Sequence, residues 1–240
     1  MRTILALSFL AGCADAPGDA AMTAAPPVGL TPPAPADHGS LSERAERADV
    51  VFVGHVVAVD YAMSQPTDDQ GPVVHTFVTY EVEAGFKHAA AGERFTLRFI
   101  GGLSTDDTIL IASHQPRIDL GDRDLLFVAG NGERACPLLD CEDGRLRILD
   151  GRVVTEGGGA IGIDGDLLSV GKLVRHDDID THWVAGQALH TDPVDAAVDV
   201  ADSGAARLEE LTAQLGSLGL PDGSADAFSV DPTAPFHFHL

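Results

Sequence analysis

Hydrophobic and polar residues alternate along the middle of the chain and divide it into short extended segments. From Val74 to Val82 the even positions are mainly apolar and the odd positions mainly polar. A period of two predicts a β-strand with one buried face. The same period recurs over the next segment, in which Phe95, Leu97 and Phe99 alternate with polar residues.

Other segments extend this pattern. Residues 50–59 are almost continuously apolar, which predicts a strand buried on both faces, and Gly54 within it predicts a bulge. Gly101-Gly102 ends the strand that contains Phe99, and residues 103–120 carry no regular pattern. Further strands are predicted at residues 124–129, 145–149, 152–155 and 167–174, with Asp150-Gly151 as a hairpin turn. Such a series of short strands is typical of a small antiparallel barrel or sandwich.

A helical pattern flanks the strands on each side. Ser40 and Glu43 have the spacing of a capping box, which predicts a short helix over residues 41–48. A second, amphipathic helix is predicted over about residues 203–218, capped by Asp202 or Ser203. Its leucine stripe packs on the domain or, alternatively, binds a partner. The stripe consists of Leu208, Leu211, Leu215 and Leu218.

The first residues differ in character from the rest. Arg2 precedes a short apolar run that ends in Leu10-Ala11-Gly12-Cys13. The run has the length of a secretory signal and is too short for a transmembrane helix. The alternative is a chance apolar start followed by an ordinary buried cysteine.

The four residues that end at Cys13 resemble the lipobox of bacterial lipoproteins. The resemblance implies that residues 1–12 are a signal peptide, that cleavage precedes Cys13, and that Cys13 carries two or three acyl chains. Ala14, where some bacteria use Asp to retain lipoproteins at the inner membrane, favours the outer membrane, with the protein at its periplasmic face or at the cell surface. Residues 13–40 are rich in Ala and Pro and are expected to form a tether.

Three cysteines are present. If Cys13 is lipidated, Cys136 and Cys141 remain as an even pair, and in an oxidising envelope such a pair predicts a disulfide. A redox pair or metal ligation is the alternative, although the spacing is not Cys-x-x-Cys.

The charge balance is strongly acidic, with a formal net charge of −22. Such a surface repels nucleic acid and keeps the chain in solution, so no nucleic-acid partner is expected. His176 and His182 flank an aspartate cluster that lacks the spacing of an EF-hand loop, and His237 and His239 would point the same way on an extended strand. Zinc needs three or four converging ligands, so no metal or cofactor is predicted.

No catalytic constellation is predicted. Residues 157–162 fit G-x-G-x-x-G, but a turn follows them where a dinucleotide site needs a helix, so a flexible surface loop is expected. No nucleophile elbow and no zinc-binding helix motif is present. A pair of carboxylates for glycosidic chemistry could be sought among Asp119, Asp122, Asp124 and Glu133, but acidic residues are abundant everywhere.

Residues 47–57, 79–88 and 120–127 resemble the netrin/TIMP-like modules of uncharacterised bacterial secreted proteins. The resemblance covers about half of the chain and implies an OB-type five-stranded barrel, which is usually non-catalytic. Some relatives inhibit metalloproteinases through a free N-terminal cysteine placed on the protease zinc. Cys13 is predicted to be acylated and lies far before Leu41, so that inhibitory chemistry is not expected here.

The sequence thus predicts a mainly β protein, built as a small antiparallel OB-like barrel with a short N-terminal helix and a C-terminal amphipathic helix. The barrel domain is predicted over residues 41–175, and an extension with a loose tail over 176–240. The predicted function is that of a lipid-anchored cell-envelope protein, not an enzyme, which binds the bilayer through acylated Cys13 and an envelope or extracellular protein through its domain. The alternatives are a metal-binding or metal-dependent hydrolytic protein, and a structural lipoprotein without a discrete ligand.

Overall fold

The architecture comes from a computed structural model, which describes residues 36–184, 187–190 and 197–238. The helices are α1 (Leu41–Arg47), α2 (Asp177–Asp180) and α3 (Leu208–Ser217), with short 3-10 turns at Cys141–Gly144, Val200–Asp202 and Ala225–Phe228. The strands are β1 (Ala36–Ser40), β2 (Val50–Met63), β3 (Val74–Lys87), β4 (Arg94–Ile100), β5 (Gly102–Leu103), β6 (Ile109–Leu110), β7 (Arg123–Val128), β8 (Arg145–Leu149), β9 (Arg152–Thr155), β10 (Gly159–Asp164), β11 (Leu167–Arg175), β12 (Thr181–Val184), β13 (Gln187–His190) and β14 (Val198–Asp199).

One large antiparallel sheet organises these strands in the order β1-β11-β10-β9-β8-β7-β2-β3-β4, and β14 adds a short parallel pairing to β11. The predicted mainly antiparallel β class is therefore confirmed. Among the described strands, the terminal strands β1 and β4 do not pair, so the sheet is open and is not a closed barrel. Strands β5 and β6 pair only with each other, and so do β12 and β13.

The hairpin of β2 and β3 is the longest unit of the sheet. Its register shifts at three places, one of them between Val53 and Gly54, which confirms the bulge predicted at that glycine. Both faces of β2 are buried, because Val51 and Val53 pack with α1 and α3 while Val50 and Phe52 pack in a second core against β3 and β4. The continuous apolar run of this strand is explained by this double burial.

Helix α1 is fixed at both ends by groups that are distant in the sequence. Ser40 caps its N-terminus by accepting the N–H of Glu43, as predicted, and the carbonyl and carboxylate of Asp166 accept the N–H groups of Leu41 and Ser42. At the C-terminus the ammonium of Lys87 donates to three carbonyl oxygens, those of Ala45, Glu46 and Ala48, at 2.6–3.0 Å. The cap therefore ties β3 to the helix.

Helix α3 packs Leu211 and Leu215 into the core, which is the packing role predicted for its leucine stripe. Its start differs from the prediction, because the N-cap is Arg207. Ser203 instead closes the preceding turn: its hydroxyl donates to the carbonyl of Val200 and accepts the N–H of Ala205. Among the described residues, no helix is long and apolar enough to cross a membrane.

Three segments are more ordered than their sequence pattern indicates. Residues 36–40, at the end of the predicted tether, form β1 and pair with β11. Residues 159–164, which overlap the predicted flexible loop of residues 157–162, form β10 with a buried Ile161. The tail that was expected to be loose packs on β3 and β4, where Ala225 and Phe238 are buried.

Candidate functional site

A cleft of about 380 Å³ lies between the body of the sheet and a small two-stranded flap. The flap (residues 102–110) consists of β5 and β6 and follows directly after β4. The sheet side of the cleft is formed by side chains of β2, β3 and β4, namely Val59, Tyr61, Thr76, Val78 and Phe99. This volume falls within the range of small-molecule and peptide-anchor sites in proteins.

Two glycines allow the backbone to turn away from β4 and into the flap. Gly101 and Gly102 have φ angles of 101° and 121°, a backbone region that L-residues with side chains rarely adopt. A Cβ atom on Gly102 would also lie 2.5 Å from the ring of Tyr61 and from the hydroxyl of Thr76. Thr76 in turn donates its hydroxyl to the carbonyl of Gly101 at 2.8 Å. The predicted strand end at this glycine pair is confirmed, and its role is to bring the flap over β3.

The outer rim of the cleft exposes apolar side chains. Ile111 is 72% exposed and Leu110 is 44% exposed, and both line the cleft. Leu120, which follows the cleft wall two residues after Ile118, is also exposed. Exposed apolar side chains that cluster at the mouth of a cleft mark a binding surface more often than isolated ones do.

A further wall of the cleft, formed by Arg117 and Ile118, is held by a buried guanidinium. Arg145 on β8 is completely buried and forms ion pairs with Asp124 on β7 at 3.0 Å, with Asp122 at 2.6 Å and with Glu156 at 2.8 Å. It also donates to the carbonyl of Arg117, which lines the cleft.

Further bonds complete this network. The backbone N–H of Arg117 donates to Glu156 at 2.7 Å, and that of Asp119 donates to Asp122 at 2.9 Å. Both ends of the loop of residues 117–122 are thus bound to carboxylates that Arg145 holds. The loop is a fixed wall of the cleft because carboxylates from β7, from the loop itself and from the turn after β9 all bind one cation.

The charges in this network shift one another's protonation. Complete burial raises the pKa of Asp124 to about 6; Asp122 adds to the shift, and Arg145 opposes it. Burial alone would lower the pKa of Arg145, but Asp124 and Glu156 hold it well above its ordinary value. Burial also raises the pKa of Tyr80, whose hydroxyl donates to Asp124 at 2.8 Å. Arg145 is therefore a permanent buried cation.

The acidic residues singled out in the sequence separate into two groups. Asp122 and Asp124 come together, but both are bound to Arg145 and neither faces an open substrate site. Asp119 lies in the loop beside them, whereas Glu133 lies in the distant turn that follows Gly130. The four residues do not form a pair of facing carboxylates.

The predicted disulfide partners lie beside the cleft. The Cα atoms of Cys136 and Cys141 are 5.6 Å apart, a geometry compatible with a disulfide. Sγ of Cys141 contacts the carbonyl oxygen of His114. Both His114 and Glu142, the residue after Cys141, line the cleft. Cys13, the predicted lipidation site, lies outside the described residues.

The candidate metal ligands are not assembled into a site. Nδ1 of His176 accepts the N–H of Asp178 and caps α2, and the exposed His237 pairs through its backbone with Gln65. The side chain of His182 and the whole of His239 lie outside the described part. Within the described ranges, no three His, Cys, Asp or Glu side chains come together as a metal site.

Sequence reasoning missed both the cleft and the Arg145 network. The flap falls in residues 103–120, which show no periodic pattern, so no signal in the sequence pointed to the cleft. A signal for the network did exist. Asp122 and Asp124 flank the first residue of β7, and Arg145 and Arg147 lie at the start of β8. Comparison with known protein families, with curated proteins and with solved structures finds no match to this chain.

Proposed function

We propose that this chain is a lipid-anchored cell-envelope protein whose β domain is a non-catalytic protein-binding module, and that the cleft beneath the flap is its binding site. The observation that carries the proposal is the exposed apolar rim of this cleft, above all Ile111. The proposed partner is an envelope or extracellular protein that inserts an apolar side chain between the flap and the sheet.

The side chains that line the cleft are suited to bind a partner and not to catalyse a reaction on it. Val59, Val78 and Phe99 offer apolar contact, and Thr76 is already engaged by the backbone of Gly101. An apolar anchor in a pocket is the usual centre of a protein interface. Asp122 and Glu156, which bind the loop of residues 117–122, are neutralised by Arg145 and are poorly suited to act as nucleophile or base.

Rigidity on one side of the cleft supports the same proposal. The loop of residues 117–122 is tied down by Arg145, so that side of the cleft is formed before any partner arrives. A preformed site loses less conformational entropy on binding, which favours affinity. The flap, held to the sheet through two glycines, is the side that can adjust.

We further propose that the domain is an OB-like member of the netrin/TIMP-like group. The strands β4-β3-β2-β7-β8 are consecutive neighbours, and β2 and β3 are long and carry several register shifts. Bulged, long strands are what a strongly coiled sheet requires. The remaining strands would then be an addition to this five-stranded unit.

Site-specific photocrosslinking in bacterial cells tests the binding proposal with the full chain. A photoreactive amino acid replaces Ile111 in one variant and Leu167, which is 59% exposed, in the matched control. Leu167 opens β11 next to α1 and is not part of the cleft lining. We expect a discrete protein adduct from position 111 and none from position 167.

A second substitution makes the result specific for the cleft. Val78→Asp would be too disruptive in a buried core, whereas Leu110→Asp changes only the exposed rim. We expect Leu110→Asp to abolish the adduct from position 111 while the protein level stays unchanged. An adduct that is absent, or that is equally strong from position 167, would contradict the proposal.

The anchor and the disulfide need a chemical test. Mass spectrometry of the protein purified from cells should find an N-terminal Cys13 that carries acyl chains. Alkylation without reductant should leave Cys136 and Cys141 unmodified, as expected for a disulfide in an oxidising compartment. An intact Met1, an unlipidated Cys13 or freely alkylated Cys136 would contradict the proposed envelope location.

A further inference from the structure

The tail of the chain covers a buried cation that has no carboxylate partner in the described part of the protein. Arg98 on β4 is only 5% exposed, and burial lowers its pKa with no opposing negative charge. Its guanidinium donates to the carbonyl of Gly132 and lies 4.7 Å from the ring centre of Phe236 and 5.7 Å from that of Phe238. Cation–π contact takes the place of an ion pair.

His75 on β3 holds the same two rings. Its imidazole lies edge-on to Phe236 and Phe238, with ring centres 5.0 Å and 4.7 Å apart. His75 is almost completely buried, and neither ring nitrogen makes a hydrogen bond of good geometry to a described residue. Arg98 and His75 therefore clamp one pair of aromatic rings, and a charge on His75 would place two cations in one buried cluster.

The segment that carries these rings also contacts the outer edge of the sheet, which is otherwise bound by the side chain of Asn131 and the carbonyl of Ala135. This strap (residues 229–238) binds the edge of β4 at Thr96: the N–H of Thr96 donates to the Ser229 hydroxyl, and its carbonyl accepts the N–H of Val230. Further along, the carbonyl of Phe236 accepts the N–H of Gln65 at 2.8 Å.

We propose that the end of the strap is an acid-released cover of β3 and β4, in which protonation of His75 beside Arg98 expels Phe236 and Phe238 and opens the buried cluster of His75 and Arg98 to water. The device is independent of the cleft. Its parts are a buried imidazole without a good hydrogen bond, a buried unpaired guanidinium, and a strap whose aromatic rings contact both.

The direction of the pH effect follows from the environment of His75. Burial and Arg98 lower its pKa to about 4, from an ordinary value of 6.5. Because the open form lets water reach the ring, its pKa there returns toward the ordinary value. Below pH 6.5 protons therefore bind the open form more tightly, and from pH 7 to pH 5 the opening equilibrium shifts by about 20-fold.

The other charged groups around His75 do not oppose this effect. Arg98 is the charged neighbour from β4, and it disfavours the imidazolium. The strap contributes His237, which is exposed and lies between the two phenylalanines. From β2, the residue in register with His75 is the uncharged Ala62. No described carboxylate stabilises the protonated ring, and the backbone of Phe99, which favours it, has a smaller effect than burial and Arg98.

Hydrogen exchange of the full chain in detergent, followed by mass spectrometry, tests the proposal. Protection factors, corrected for the intrinsic pH dependence of exchange, are compared at pH 7 and pH 5 for peptides that cover the strap and β8–β9. We expect protection of the strap to fall by about 20-fold, while β9, where the N–H of Val153 donates to Ala206, keeps its protection. Equal protection of the strap at both pH values would overturn the proposal.

Two variants and one titration assign the effect to His75. We expect His75→Leu to remove the pH dependence of strap protection and His237→Gln, a change in the exposed histidine of the same strap, to retain it. The reverse pattern would overturn the proposal. If His75→Leu fails to fold, an NMR titration of the histidines in the unsubstituted chain decides, because a His75 pKa near 6.5 would contradict the closed clamp.

Discussion

Arg145 and Asp124 form an ion pair in which both side chains are completely buried, with 3.0 Å between Nε and Oδ1. The guanidinium also holds Asp122 and Glu156, so one cation neutralises carboxylates from β7, the preceding loop and the turn after β9. The sheet and the fixed wall of the cleft are therefore built around a single arginine.

The first prediction concerns the loss of this cation. Arg145→Met keeps the length of the side chain but removes the cation that binds Asp124 and Glu156, while Asp122 retains its contact with Arg147. We expect the free energy of unfolding to fall by about 3–5 kcal/mol. The control is Arg123→Met, which breaks an exposed ion pair with Glu83 and should cost less than about 1 kcal/mol. Urea unfolding of both variants measures the difference, and similar losses would contradict the assigned role of Arg145.

The second prediction concerns pH and uses two groups with opposite effects. Burial raises the pKa of Asp124 to about 6, so its contribution to stability is fully present below pH 3.8 and is lost as the pH rises through 6. Burial and Arg98 lower the pKa of His75 to about 4, so its contribution is present above pH 6.5 and is lost as the pH falls toward 4. Between pH 4 and pH 6.5 the two contributions partly cancel.

Single substitutions should separate these contributions. In Asp124→Asn the effect of His75 remains, and acidification from pH 6.5 to pH 4 should lower stability by roughly 2 kcal/mol more than in the unsubstituted chain. In His75→Leu the effect of Asp124 remains, and the same acidification should raise relative stability. The measurement is urea unfolding at several pH values. Identical pH profiles for the two variants would rule out this assignment.

The third prediction uses the two lysines of the chain as a matched pair. Lys87→Met removes three hydrogen bonds to carbonyls at the C-terminus of α1, and we expect a loss of about 1.5–3 kcal/mol. Lys172→Met changes an exposed side chain on β11 and should cost less than about 0.5 kcal/mol. Thermal or urea unfolding compares them. A Lys87 variant as stable as the Lys172 variant would show that the cap contributes little.

The hydrophobic pattern predicted those strands whose buried faces are visible in their own sequence. The continuous apolar run of β2 and the alternation in β3 and β4 each gave a strand, and Asp150-Gly151 gave the β8–β9 hairpin. These predictions succeed because a strand pattern reports which faces are apolar. Helix α1 was also predictable, since its cap at Ser40 lies within the local sequence.

The pattern failed where burial comes from a distant segment. His75 and Arg98 occupy positions that read as the solvent face of β3 and β4, yet the strap covers both. Ile161 lies in a glycine-rich stretch that acquires strand structure only by pairing with β9 and β11. The cleft exists because the backbone conformation at Gly102 places the flap over β3. The hydrophobic pattern of one sequence does not indicate how a flap packs on a sheet.

The fourth prediction concerns the glycine at the base of the flap. Gly102→Ala places a Cβ 2.5 Å from the ring of Tyr61 at a φ of 121°, so either the flap or Tyr61 must move. We expect a loss of about 1–3 kcal/mol in stability and the disappearance of the photocrosslink from Ile111.

Gly165→Ala is the matched control for this change. Gly165 also has a positive φ, 59°, but no atom lies within 4 Å of the added methyl group, so the cost there is only the backbone strain of about 1 kcal/mol. The crosslink from Ile111 should survive in this control because the turn between β10 and β11 does not line the cleft. If Gly102→Ala kept the crosslink and matched Gly165→Ala in stability, the flap would not depend on Gly102, and the geometry assigned to the cleft would be wrong.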